Sequence, residues 1–265
     1  MLSLAIAGIV TLRIAYKYYY SQPNPLVTFL DRPSTQKFFA DDPDRYFHNH
    51  NSVNLIARGY DSVDTLIQDA SRSADDFSTQ EQIHLLSKCK LADEFLQQFD
   101  SIPYFPSKKV ASIKWVLAKC IGRLYEKGRP HTRLSIIFLY DDDIFSYDIV
   151  RILVHEKVHL FSRLFPHDMK LWIDKNGYTI YKTIHDYPLA RLNPNTDNIV
   201  YKDRHRIPLV VEFRSNFPES FRDVIYPVSK SNCLDKHGEY LYIECIMYQH
   251  PNETLAYLID NYVKI

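Results

Sequence analysis

Apolar residues along this chain recur mainly with the 3.6-residue period of helices, and stretches of period two or unbroken apolarity lie between them. Residues 61–71 set Val63, Leu66, Ile67 and Ala70 on one helical face. Ser78 and Glu81 form a capping box that opens a longer helix to about Phe99, whose core face holds Ile83, Leu86, Cys89, Leu91, Phe95, Leu96 and Phe99. His84 and the charges around it then belong to a solvated face. Val110, Ile113, Val116, Leu117, Cys120, Ile121 and Leu124 keep the helical spacing, which predicts another helix with Gly128 at its end. Residues 134–140 read as a strand. Ile149, Ile152, Leu153, Val158, Phe161 and Leu164 predict a half-buried helix that starts at Asp148 as the cap and stops at Pro166. Residues 171–173 and 178–181 on either side of Asp174 to Gly177 predict a hairpin, and 209–213 and 240–246 predict short strands. A last helix begins at Pro251, with Leu255, Leu258, Ile259 and Tyr262 as its apolar face. The fold class expected is α+β: N-terminal helices, a small sheet before the 148–166 helix, and a C-terminal helix.

The N-terminus has its own pattern. Residues 2–12 carry no charge, and Arg13, Lys17 and the tyrosines Tyr16, Tyr18, Tyr19 and Tyr20 follow directly. A helix through Tyr20 would be about 28 Å long, close to the hydrocarbon thickness of a bilayer. With no positive charge ahead of the apolar run and bulky residues at any cut, residues 1–20 read as an uncleaved single-pass anchor rather than a signal peptide. The positive flank then puts the folded part on the cytoplasmic side. A helix packed against the protein is the alternative. Pro23 and Pro25 open a linker over 21–44, and 45–265 form the folded domain.

Composition narrows the function. Lys plus Arg equals Asp plus Glu at 32 each, with no basic stripe among aromatics, so a nucleic-acid partner is not expected. Cys89, Cys120, Cys233 and Cys245 lack the spacing of a metal knuckle and fit reduced thiols better than disulfides. The run Asp141 to Asp143 lacks the alternation of a calcium loop and reads as a solvated turn.

The chemistry concentrates in His155-Glu-Lys-Val-His159. Two histidines four apart share one helical face and can hold one Zn²⁺, while Glu156 reaches a water at the open metal position as general base. A catalytic zinc needs a third protein ligand. Ser162 and Phe165 occupy the places where a metzincin would have its glycine and third histidine, which excludes that class. Glu253, at the start of the last helix, is the stronger candidate, with His250 and His167 as competitors. For the oxyanion donor, Tyr201 is favoured over His205 and the loop residue His131, and Asp186, Asp197 and Asp203 are candidates to orient the histidines.

A HExxH helix followed at a distance by a helix carrying a glutamate resembles the gluzincin class of zinc metallopeptidases. More narrowly, Arg129-Pro-His-Thr132, His155 to His159, Asn193-Pro-Asn195 with Tyr201, and His250 to Glu253 with Ala256-Tyr257 are similar to metallopeptidases of large eukaryotic DNA viruses. The resemblance covers roughly 45–262. It implies a zincin-like domain, a zinc held by His155, His159 and Glu253, Glu156 as base and acid, and a peptide or protein substrate. The gap of 94 residues from His159 to Glu253 exceeds that of the best-known gluzincins. The same ligands would serve a hydrolase of non-peptide amides, or a silent zincin-like interaction protein.

Overall fold

The computed structural model describes residues 27–226 and 250–263. In chain order the first elements are β1 (Val27–Phe29), α1 (Arg32–Asp41), α2 (Ser52–Arg58), α3 (Val63–Ser73), β2 (Ala74–Asp75) and α4 (Thr79–Gln98). The middle of the chain forms α5 (Ser107–Ala111), β3 (Trp115–Cys120), β4 (His131–Arg133), β5 (Ile136–Tyr140), α6 (Asp141–Ile144), α7 (Ile149–Leu164) and α8 (Pro166–Lys175). Short strands β6 (Thr179–Thr183), β7 (Ile199–Lys202), β8 (Pro208–Leu209), β9 (Glu212–Phe213) and β10 (Val224–Ile225) follow, and α9 (Pro251–Asp260) ends the described chain. The fold is mixed α+β, as the pattern predicts.

Local chemistry sets the helix starts. Asp31, Asn51 and Ser62 each accept a hydrogen bond from the backbone N–H three residues on, and Ser78 with Glu81 makes the expected capping box. Asp148 precedes α7, but its side chain makes no capping bond.

Several expectations need correction. Residues 110–124 are not one helix: α5 ends at Ala111 and β3 follows. The strand is covered on both faces, so nearly every position is apolar, and the i, i+3, i+4 spacing arises without a helix. The segment 171–173 belongs to α8, because Met169, Trp172 and Ile173 bury a helical face and Pro166 fits the first turn. Gly177, at φ +79°, therefore turns a helix into β6, which pairs with β7 rather than closing a hairpin. Residues 209–213 split between β8, paired with β7, and β9, paired with β10. The expected linker contains β1 and α1, which pack into the domain, so its described part is not a tether. The expected single-pass anchor is not retained: among the described residues no helix is long and apolar enough to cross a membrane. Residues 1–20, on which it rested, lie outside the described chain, and the cytoplasmic-side location falls with it. Residues 240–246, Cys233 and Cys245 also lie outside; Cys89 and Cys120 are buried free thiols.

The main sheet has the order β1-β3-β5-β4, with β1, β3 and β5 parallel and β4 antiparallel at the edge. Leu117 pairs with Ile137 and Ala118 with Phe138, so alternate residues of both strands point to opposite faces. Leu117, Ile137 and Leu139 join the core under α4, α7, α8 and α9. Ala118, Cys120, Phe138 and Tyr140 join a second core under α1, α2 and α3.

Three buried cations lock this frame. Lys157, in the middle of α7, is 0% exposed and pairs with Asp93 of α4, donates to the Ala111 carbonyl at 3.0 Å, and lies 4.0 Å over the Trp115 ring. Arg133 of β4 pairs with Asp42 and Asp44 and stacks 4.4 Å from the Phe47 ring. Arg58 of α2 pairs with Glu126, ahead of β4, at 3.3 Å. Buried charges tolerate loss of a partner poorly.

Substituting Arg133→Leu should therefore lower the unfolding free energy by about 3–5 kcal/mol in urea titration. The acid limit follows from Glu126. Burial would raise its pKa, but the Arg58 guanidinium and the Tyr46 hydroxyl, at 2.8 Å, hold it down to about 2 from the ordinary 4.5. The unfolded chain then binds the extra proton, so this stabilisation is complete above about pH 4.5 and is lost as pH falls through about 2. Urea midpoints measured across that interval should drop, and the drop should be smaller in Glu126→Gln.

Candidate active site

α7 presents His155 and His159 on one face because four residues is close to one helical turn. α9 crosses that face and buries Glu253, which is 3% exposed, against them. The two Nε2 atoms stand 3.1 Å apart, and Glu253 Oε2 is 3.5 Å from that of His155 and 3.7 Å from that of His159. Among the described residues this is the His/Cys/Asp/Glu group whose ligand atoms converge as a metal site requires. The three expected ligands thus meet.

Two imidazoles and a carboxylate form a donor set of the kind that can hold a divalent metal ion such as zinc. The point in their plane that is equidistant from the three atoms lies about 2.0 Å from each, within reach of the usual Zn–N and Zn–O bonds. His155 Nδ1–H donates to Asp260 Oδ2 at 2.8 Å, which leaves the Nε2 lone pair facing the site. Burial disfavours charge on this ring, yet Asp260 and Glu253 outweigh it and hold its pKa up to about 10. Burial pushes His159 well below its ordinary value. Glu253 would be raised by burial, but His159, His155 and the Asn193 amide hold it down to about 2. Carboxylates that stabilise a proton between these rings would equally stabilise a cation there.

Glu156, one step round α7, accepts a hydrogen bond from the Thr132 hydroxyl at 2.8 Å and lines the same cavity as His155 and Glu253, about 500 Å³ in volume. Burial pushes its carboxyl up to about 7, against the opposing effects of His155 and Thr132. The Asn193-Pro-Asn195 segment braces the cluster: Asn193 donates to Glu253 Oε1 at 2.8 Å, and Asn195 accepts from the N–H of Thr132, whose hydroxyl holds Glu156, at 2.8 Å. Arg163 donates to the Pro194 carbonyl and so ties the segment back to α7.

The other expected residues stand outside this cluster, although His131 lines the cavity. His250 caps α9: Nδ1 accepts from the Asn252 N–H and Nε2 meets Asp197 at 3.0 Å, which commits both nitrogens. His167 is exposed and outside the cluster. The Tyr201 hydroxyl donates to Asp197 Oδ2 at 3.1 Å, and Tyr201 is not among the residues lining the cavity. Tyr257 does line it, with its ring 4.7 Å from that of His155. His131 is buried in β4 rather than in a loop; Nδ1–H donates to the Arg129 carbonyl at 2.9 Å and Nε2 accepts from Tyr125 at 3.0 Å. His205 is exposed, and Asp203 and Asp186 serve local turns. The residue that orients His155 is Asp260, which the sequence reading did not consider. Its signal was present: Glu253, Tyr257 and Asp260, spaced four and three, share one helical face.

No family model matches the chain, and no curated protein or solved structure is significantly similar to it.

The geometry predicts one tightly bound zinc per chain by metal analysis after dialysis. Asp260→Asn should weaken it by about 10–100-fold in chelator competition, the usual cost of losing the acceptor behind a ligating histidine.

Proposed function

We propose that the chain is a zinc-dependent metallopeptidase of the gluzincin-like zincins, similar to metallopeptidases of large eukaryotic DNA viruses. The observation that carries the reading is the convergence of His155, His159 and Glu253 beside a buried Glu156 that faces the same cavity. A site meant only to hold structure would close the fourth zinc position with another Cys or His; among the described residues the group contains three members.

When bound, zinc supplies a Lewis acid that polarises a carbonyl and makes a nearby water acidic. Glu156 takes the proton of that water and passes it to the departing amine nitrogen, so one carboxyl serves as base and then acid. The Thr132 hydroxyl, bonded to Glu156 Oε2, fixes which oxygen remains free to do so. In this reading Tyr257 donates to the developing oxyanion, supported by its place in the cavity lining and its ring 4.7 Å from that of His155. His131 also lines the cavity, with its ring nitrogens bonded to the Arg129 carbonyl and the Tyr125 hydroxyl.

Replacing Glu156 with Gln should leave zinc content unchanged and reduce cleavage of a peptide library by about two to four orders of magnitude. Full turnover by the variant would reject Glu156 as the base. A library left intact by zinc-loaded wild type would reject the peptidase reading.

A further inference from the structure

The segment Asn193-Pro-Asn195 belongs to no helix or strand, yet the elements that build the site meet on it. Asn193 donates to Glu253 of α9 at 2.8 Å, and Asn195 accepts from the N–H of Thr132 in β4, also at 2.8 Å. Each contact leads to one carboxylate. The segment is tightened on itself, because Asn193 Oδ1 accepts the Asn195 N–H at 2.9 Å and so couples the two asparagines. Pro194 between them has no N–H, and its carbonyl accepts from Arg163 of α7, the helix that carries both histidines.

A guanidinium is costly to place there. Burial lowers its pKa to about 10, while the charges of Glu156, Asp44, Asp197 and Glu253 oppose the fall, so Arg163 stays cationic at neutral pH. Among the described residues it is bonded to none of those carboxylates: its hydrogen bonds run to the carbonyls of Pro194 and, at 3.2 Å, of His159. The bond to His159 is local, of the kind that a basic side chain in the last turn of a helix makes. The bond to Pro194 is not, since it spans 31 positions of the chain. Donors on both terminal nitrogens let one planar fork bridge helix and segment, a geometry that the point donor of a lysine does not reproduce. From Arg163 the bonds run through Pro194 to Asn193 and Glu253 on one side, and to Asn195, Thr132 and Glu156 on the other.

We infer that Arg163 is a positioning residue for the metal site: its guanidinium fork clamps the 193–195 segment to α7, and thereby fixes the Glu253 carboxylate opposite the two histidines and the Thr132 support of Glu156. The inference rests on the zinc site of the proposed function, but its first readout is metal affinity, which needs no turnover.

The test measures zinc affinity of the full chain by chelator competition in Arg163→Lys, Arg163→Gln, Asn193→Ala and the two double variants. Each single exchange should weaken zinc by about 10-fold, the lower end of the cost of removing a support behind a metal ligand. Because Arg163 reaches Glu253 through the segment, the double variants should bind no more weakly than Asn193→Ala alone. A general loss of stability would instead multiply with Asn193→Ala, and would show in the urea midpoint of the zinc-free chain. Arg163→Lys keeps the charge and is the milder exchange, so it carries the cycle if Arg163→Gln does not fold. Unchanged affinity in the folded variants, or losses that multiply in full, would overturn the clamp. A loss confined to Arg163→Gln would overturn it too, by assigning the effect to charge alone. Peptide cleavage at saturating zinc is scored in parallel. There kcat should fall by about 10-fold with KM within about twofold, because Glu156 loses its support while Arg163 lies outside the lining of the cavity. Weakened zinc in the variants without cleavage by wild type keeps the clamp and removes the peptidase reading; cleavage by wild type with zinc affinity indifferent to Arg163 does the reverse.

Discussion

The arrangement depends on charge buried on both sides of a single helix. Behind α7, Lys157 pairs with Asp93 in the core and lies over Trp115, where a lone ammonium or carboxylate could not remain charged. In front, its neighbour Glu156 and the two histidines face α9. The pair behind fixes the rotation of α7 about its own axis, because turning the helix would drag Lys157 away from Asp93. That rotation determines where His155, Glu156 and His159 point. One interaction therefore sets both the packing of α4, α5 and β3 and the aim of the site.

α9 contributes most of what surrounds the histidines. Glu253, Tyr257 and Asp260 stand on one face and meet α7 as a unit, so the spacing of three functional groups is fixed by one rigid helix. The two histidines are not equivalent. His155 is oriented by Asp260, whereas the Nδ1 of His159 has no hydrogen-bond partner among the described residues and its ring is buried. β4 and the 193–195 segment supply the remaining supports, the Thr132 hydroxyl on Glu156 and the Asn193 amide on Glu253. β4 itself is anchored by Arg133, which links the far core to the site.

The helices that bury one face were legible in the sequence, and so were the elements that carry the histidines and Glu253, since a half-buried helix leaves a clear 3.6 period. The strand β3 was not, because an element covered on both faces loses the alternation that would identify it. The turn at 174–177 is legible but the elements it joins are not, as Gly177 can end a helix as readily as join two strands. Residue types favour Glu253 over His250 without separating them; in the fold the Glu253 carboxylate converges with the two histidines, whereas His250 spends both nitrogens capping α9 and meeting Asp197. Tyr201 and Tyr257 are chemically alike in sequence, and only the fold shows which phenol lines the cavity.

X-ray absorption at the zinc edge of the loaded protein tests the central claim most directly. A single zinc should show only nitrogen and oxygen neighbours at about 2.0–2.1 Å, with the imidazole scattering of two histidines, and Glu253→Ala should remove or visibly alter the first shell. Sulfur scattering near about 2.3 Å, or a spectrum unchanged by His155→Ala and His159→Ala, would place the metal elsewhere and contradict the account.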